Sequence, residues 1–554
     1  MKDSHQQRLV FGIFFLTPLL YALYTQHAWE DWYITYRASK NLAIGNGLVF
    51  QPGERLHTFT SPLGTLVPSL LNWITGNYSD DLVLWLYRVF SSVLLGFSGV
   101  LIWQIGRELL KNTVALVVLL LFVLLDAKMV DNSINGMETA LMVFFLALTI
   151  HAVVRPSNRT VWQLAIGLAG LMWSRPDGFI HATGFLLATL AFPPKEVASR
   201  GAWFGHLAKA AVIGALLYVP WLAWATWYYG TPVPNTIIAK GLSRVPTESP
   251  WAAVDGLRSF VRTLRNVLRD DYAQVTERLG WLLTPTYYHF GGWPDWLKYL
   301  SRTITGLAML CWLLPGFSRW GRVLSFGAFF SCMYLAHLNY AYPWYIPMGA
   351  ILCYFTVAVL LDQLLTALKN VAPAAYALRG VAVAILAVQA WEMIAMAYQM
   401  RMQQRYIEEG NRKQIGLWLK QNAGSDDNVF LECLGYIGFY SNLKTLDFPG
   451  LSSKEVIDAR QTINEKIYPD AFPPLVAKMQ PDWLVLRDYE IGVITSRTNV
   501  LTEKYEVAKV FNVMDRVKPL EQMEGYPYLS WDAKFTVFRH KRLPASQLTY
   551  SGTN

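Results

Sequence analysis

Read for run length and alternation, the 554 residues divide into two unequal parts. Up to about residue 398 the chain is a succession of apolar runs joined by polar connections; beyond it, charged and apolar positions mix as in a water-soluble domain. A bilayer core takes about 20 apolar residues per helix. The first such run covers 9–26, and others fall near 82–105, 112–126, 137–154, 161–174, 178–193, 206–228, 299–316, 321–338, 344–366 and 375–398. This predicts about eleven spans, with 112–126 and 161–174 short enough that one could be re-entrant. No small-residue cleavage site follows the first run, which therefore reads as an uncleaved span.

Every second short connection is basic: Arg107 and Lys111, Arg155 and Arg159, Lys195 and Arg200, Arg319 and Arg322, Lys369 and Arg379. With Lys2 and Arg8 cytoplasmic, these are the inner loops that the positive-inside rule requires. The segments 27–81 and 229–298, and everything after about 399, then lie outside. Within 27–81, the apolar stretch 63–74 is too short to span and predicts an interfacial helix. Within 229–298, Arg258, Arg262, Arg265 and Arg269 oppose Leu257, Val261, Leu264 and Leu268 at helical spacing. That is a basic amphipathic helix, suited to anchoring on lipid phosphates or to guiding a lipid headgroup. Residues 399–554 alternate short apolar runs with glycine breaks and predict a small external α/β domain.

Composition agrees. Hydrophobic residues make up 53% and charged residues 16%, against about 25% charged in soluble domains. Mean hydropathy is +0.25. Disorder, collagen-like repeats and a disulfide scaffold are excluded. The net charge of +9 sits mainly on inner loops and does not imply nucleic acid. Cys311, Cys332 and Cys353 lie in apolar runs and Cys433 in a polar one, with no metal-ligating spacing. No cofactor is expected; the alternative is a divalent cation on scattered external carboxylates.

The spans look nearly free of ionisable residues, and polar candidates gather at their external ends: Glu30, Asp31, Arg37, His57, Glu138, Arg175, Asp177, Lys240 and His337. A transporter would place such groups near the bilayer midplane. This distribution suits an active site at the outer membrane–water boundary. Glu30-Asp31 follows the first span between Trp29 and Trp32; a carboxylate held there gains basicity and suits a general base, and reads equally as a solvated helix end. Thr60, Ser61 and Pro62 predict the start of the next helix, where Arg37 or His57 could help to hold a phosphate. Arg175 and Asp177 also read as a turn pair, Lys240 as a loop lysine and Glu138 as a helix-start acid. His337 with Asn339, Tyr340, Tyr342 and Trp344 reads as a sugar platform or an interfacial anchor.

The run "EDWYITYRASKNLAIGNGLVFQPGERLHTFTSPL" resembles the first external loop of a group of GT-C glycosyltransferases that includes the terminal arabinofuranosyltransferases of mycobacterial cell-wall arabinan. The segments "NGMETAL", "SRPDG", "YYGTPVPNTIIAK" and "LGYIGFYSNLKTLDFPGL" resemble the same group, in the same order. The resemblance implies a GT-C-like α-helical polytopic membrane protein (residues 1–398) with a small C-terminal α/β domain (399–554). It also implies transfer of a sugar, foremost arabinofuranose, from a polyprenyl-phosphate donor. The acceptor would be an external glycan, a lipopolysaccharide or a surface protein, with membrane lipids as surroundings and no nucleic acid partner. The implied location is a bacterial inner membrane with the C-terminal domain periplasmic.

Asp31 maps onto the presumed base of such enzymes, although Glu30 stands where many relatives carry a second Asp. Lys240 and Arg175, with Arg37 and His57 behind them, are the candidates for the leaving phosphate. Glu30, Thr60, Ser61, Glu138, Asp177, Asn235, His337 and Tyr345 complete the expected substrate pocket. The alternatives are a mannosyl- or hexosyltransferase on the same scaffold, or a non-catalytic lipid-glycan flippase.

Overall fold

A computed structural model describes residues 2–194, 199–242, 282–337 and 342–542. The N-terminal part is helical: α1 (Lys2–Thr25), α2 (Glu30–Ala43), α3 (Pro62–Ile74), α4 (Asp80–Leu109), α5 (Thr113–Leu124), α6 (Ala127–Ile134), α7 (Thr139–Val154), α8 (Thr160–Ser174), α9 (Phe179–Ala191), α10 (Arg200–Tyr229) and α11 (Asn235–Gly241). Later helices cover Asp295–Leu310, Arg319–His337, Ile346–Ala367 and Ala372–Met402. All the apolar runs are helical, but the expected count of eleven spans is not reached by length and composition. Among the described residues five helices are long and apolar enough to cross a membrane, and a sixth if α5 and α6, bent by 46°, form one broken span. The difference is length. The apolar helices α7, α8 and α9 have 13 to 16 residues, only about 20–24 Å at 1.5 Å per residue. This is a multi-pass membrane protein. Its outward-facing Leu16, Leu20, Phe204, Leu216 and Ile394 are exposed large apolar side chains on the long helices, as a lipid-facing surface requires.

The spans are less free of charge than their sequence suggests. Asp126 at the α5–α6 bend, Lys128 and Glu392 are all buried, and Glu392 interacts electrostatically with Lys128 and Asp126. Tyr354 donates to Asp126 at 2.8 Å, and Gln389 reaches both the Tyr354 hydroxyl and the Phe122 carbonyl. Asp126 closes one apolar run, Lys128 lies in the connection after it and Glu392 within another run; folding brings them together, which lowers the cost of burying them.

α2 and α3 form the first loop. Ser61 accepts from the Gly64 amide at 2.9 Å and caps α3, as the Thr-Ser-Pro run predicts. Leu70, Trp73 and Ile74 stay exposed at the far end of α3, in keeping with an interfacial helix. The basic amphipathic segment 257–269 lies outside the described residues.

The helix beginning at Ala372 does not stop at 399. It continues through a π-helical segment, Gln403–Arg412, into a helix over Lys413–Asn422, so one rod enters the C-terminal domain. That domain holds a five-stranded sheet of β1 (Asn428–Leu431), β2 (Lys444–Asp447), β3 (Trp483–Leu486), β4 (Tyr505–Asn512) and β5 (Lys534–His540), ordered β2-β1-β3-β5-β4. β2, β1 and β3 are parallel; β5 and β4 join antiparallel. Helices cover the sheet, with Phe430, Leu484 and Leu486 in one core and Val429, Leu431 and Trp483 in another.

One close approach fixes α2 against the membrane helices. Gly136 has φ +103°, and a Cβ there would lie 2.7 Å from Trp32 atoms. Trp29 donates its backbone N–H to the Asn135 carbonyl at 2.8 Å. Arg88, fully buried, donates to the carbonyls of Gln26, His27 and Ile134, neutralising two helix ends at once. Gly136→Ala is expected to cost about 1–3 kcal/mol through overpacking and positive-φ strain, read as a lowered melting temperature of the detergent-solubilised protein.

Candidate active site

The first residues of α2 open into a cavity of about 160 Å³ between the helical part and the sheet domain. One wall is Trp29, Glu30 and Asp31. Lys240 from α11 and Tyr342 and Trp344 from the later helical part form the second. Glu432 after β1, and Phe448, Pro449 and Leu451 after β2, close the third. The parallel strands thus direct their carboxyl ends at the cavity, the edge where open α/β sheets generally bind ligands. Ile34, Tyr287, Glu408, Arg412, Leu434 and Tyr528 complete the lining.

Burial lifts the Asp31 carboxyl to about 6, with Glu138 and Glu432 pushing the same way and Lys240 and Arg175 pulling it down. It is therefore ionised near neutral pH yet more basic than a solvated aspartate, a suitable poise for a general base. Burial alone would depress Lys240, but Tyr342, Tyr345 and Asp31 outweigh it and hold the ammonium charged. The Lys240 Nζ sits 4.5 Å from the centre of the Tyr342 ring.

Behind this pair lies a second set of charges. Arg175 meets Glu138 at 2.7 Å and Asp177 at 3.1 Å, and Tyr334 donates to Asp177 at 2.6 Å. The Arg175 guanidinium also covers the Tyr345 ring at 4.3 Å. Burial opposes the charge on Arg175, but Asp177, Tyr345 and Glu138 raise its pKa well above the usual value. "NGMETAL", "SRPDG" and "YYGTPVPNTIIAK" thus converge, although Glu138, Arg175 and Asp177 stand behind the cavity wall. Glu138 and Arg175 act on Asp31, and Arg175 on Lys240, by their field.

Other expected ligands are placed differently. Arg37 donates to the carbonyls of Gly438 and Leu443 and to Gln51. It fastens α2 to the C-terminal domain and does not line the cavity. His57 stacks on Tyr229 with ring centres 4.6 Å apart and lines a separate apolar pocket with Thr60 and Trp221. Burial pushes its pKa down to about 4, leaving a neutral ring that offers no charge to a phosphate. Ser61 is occupied as a cap.

Asn235 gives its amide to the carbonyls of Gly450 and Leu451, and Arg460 donates to the carbonyls of Ala239 and Pro449. These bonds strap the segment bearing Lys240 to the loop after β2. The His337 side chain lies outside the described residues. Among the described residues no three His, Cys, Asp or Glu side chains are grouped to hold a metal ion.

Sequence reasoning missed Tyr287, Glu408, Arg412, Glu432 and Tyr528. The aromatic members form a connected wall: Trp29 stacks with Tyr287 at 5.5 Å and meets Trp344 edge-on at 5.8 Å, and Tyr287 packs on Tyr528 at 4.8 Å. Only Trp29 and Trp344 carried a signal, as aromatics at a predicted boundary. Asn235→Ala is expected to release the segment bearing Lys240 from the loop after β2, read as faster amide hydrogen exchange over 235–241 with little change in melting temperature; Asn235→Asp, which cannot donate to two carbonyls, should behave alike.

Residues 394–537 match a family described as "Domain of unknown function (DUF8728)". A terminal beta-(1->2)-arabinofuranosyltransferase of Corynebacterium glutamicum is 27% identical over 252 residues, covering 41% of this chain and 35% of that protein. Its namesake in Mycobacterium tuberculosis is 24% identical over 239 residues, covering 39% and 35%. The chain thus spans about a third of the length of the curated relatives it matches. ArnT from Cupriavidus metallidurans, crystallised with undecaprenyl phosphate, superposes with a TM-score of 0.53 at 12% identity over 96% of both chains. The apo form gives 0.52 at 13% identity, over 97% of this chain and 98% of that one. The chain has the GT-C fold and resembles the terminal arabinofuranosyltransferases.

Proposed function

We propose that this protein is an integral-membrane glycosyltransferase that takes a sugar, specifically arabinofuranose, from a polyprenyl-phosphate donor and passes it to an external glycan or glycoprotein. The observation that carries this reading is the cavity itself: a partly buried, basic carboxylate at Asp31 and a charged ammonium at Lys240 face one space. The arabinofuranosyltransferase likeness supports the sugar, and the ArnT likeness, with its bound undecaprenyl phosphate, supports the donor class.

In this reading the acceptor hydroxyl oxygen attacks the anomeric carbon and its proton passes to Asp31. The bond from that carbon to the phosphate oxygen breaks, and the electron pair leaves with the polyprenyl phosphate. Lys240 is a fixed cation for the departing charge, effective because the site is screened from water. Trp344 and Tyr342, stacked at 4.7 Å, give the sugar a flat apolar face. The cavity opens on the external side, and the sheet domain, periplasmic in a bacterium, forms the acceptor's wall.

The test is transfer in membranes from radiolabelled polyprenyl-phosphoryl-arabinose. Asp31→Asn should reduce it by about 10²–10⁴-fold, the usual worth of a general base; transfer at the wild-type rate would remove Asp31 from the mechanism. Because Asp31 must be ionised to accept a proton, kcat/KM should rise with pH through about 6 and level off above it. Lys240→Met removes the cation that lowers the Asp31 pKa. Its pH–rate profile should therefore move to higher pH while the rate falls.

A further inference from the structure

Glu30 and Asp31 are adjacent acids that line the same cavity, yet their surroundings differ. Glu30 is tied on both oxygens: Oε2 meets Arg412 at 2.9 Å and Oε1 accepts the Gly435 amide at 3.2 Å. Arg412 also holds Glu408 at 2.8 Å and Asp532. Asp532 is shared with Arg487 at 2.5 Å, and Arg487 reaches Glu432 on the far cavity wall at 2.9 Å. A side chain at Gly435 would collide with the Glu30 carbonyl, its Cβ lying 2.1 Å away. Ala28, two residues before Glu30, is held as well. It donates to Gln404 at 3.0 Å and accepts from the Tyr436 hydroxyl at 3.1 Å.

Trp29, the residue before α2, makes no side-chain cap hydrogen bond, so the start of the helix takes its place from these tertiary bonds. We infer that Glu30 and Arg412 are positioning residues: through them the C-terminal domain sets the place of Asp31, and Glu30 takes no proton from the acceptor. The inference rests on the proposed role of Asp31. Both bonds to Glu30 need only acceptor oxygens, one of which an amide retains. Each Glu30 oxygen already has a partner, and a proton taken up there would weaken its ion pair with Arg412.

The experiment compares Glu30→Gln, Glu30→Ala, Arg412→Lys and Asp31→Asn in the transfer assay, at matched amounts of monodisperse protein. Glu30→Gln should keep activity within about fivefold and the same pH–rate profile. Glu30→Ala should lose kcat by about 10²-fold, the scale of an ångström-sized misplacement, with the donor KM nearly unchanged and the pH midpoint still set by Asp31. Arg412→Lys keeps the charge but not the fork that serves Glu30 and Asp532 together, and should lower kcat in the same direction.

Loss of transfer in Glu30→Gln equal to that in Asp31→Asn would overturn the inference by making Glu30 a reacting group. Wild-type kcat in both Glu30→Ala and Arg412→Lys would overturn it by making the link irrelevant. Full activity of Asp31→Asn would instead overturn the proposed function, a distinct result.

Discussion

The cost of burying charge shapes this molecule where its two parts meet. Arg412 and Arg487 are each only a few per cent exposed, and an unpaired charge so placed would cost several kcal/mol or more. Each is therefore surrounded by acids, and those acids come from different elements: Glu30 from α2, Glu408 from the π-helical turn, Asp532 and Glu490 from the sheet domain. No partner can leave without stranding another. The π-helical segment supports this arrangement, since Gln403, Glu408 and Arg412 all face inward from one stretch. Such wide turns recur at functional sites.

That constraint explains how a site can be built from five sequence motifs that are distant along the chain. The membrane helices bring Glu138 and Arg175 to the end of α2, with the absence of a side chain at Gly136 allowing Trp32 to close in. The sheet domain supplies Glu432 and the loop after β2. Asn235 and Arg460 then bind the Lys240 segment to that same loop. Asp31, Lys240 and the carboxyl ends of the parallel strands consequently share one space. Its electrostatics follow from burial: desolvation makes Asp31 basic, while the surrounding rings and acids keep Lys240 and Arg175 charged.

A lipid-facing exterior and a polar interior coexist for the same reason. Apolar side chains remain exposed on α1, α10 and the helix Ala372–Met402 because hydrocarbon, not water, is their solvent. Asp126, Lys128 and Glu392 are tolerated because they meet one another and Tyr354. The bend between α5 and α6 falls at Asp126, whose carboxylate accepts from the Met129 amide and caps α6. Broken backbone within a membrane protein needs such a buried polar partner.

The amino-acid sequence by itself determined the class of this protein. Run length made a polytopic helical body and a C-terminal α/β domain legible, because hydrophobic burial and lipid solvation act on local composition. The sequence singled out Asp31 by its position after the first apolar run and Lys240 by its motif, and the fold sets both on one cavity; Ser61 caps α3 as its motif predicts. The tertiary structure decided what distance along the chain conceals. It turned Arg37 into a clamp and His57 into a neutral stacked ring, since a side chain's role depends on which donors and charges surround it after folding. It brought Arg412, Glu432, Tyr287 and Tyr528 to the cavity from stretches with no local signature. And it separated Glu30 from Asp31, because only the folded chain shows that one carboxylate is held by Arg412 and Gly435 while the other faces the cavity opposite Lys240.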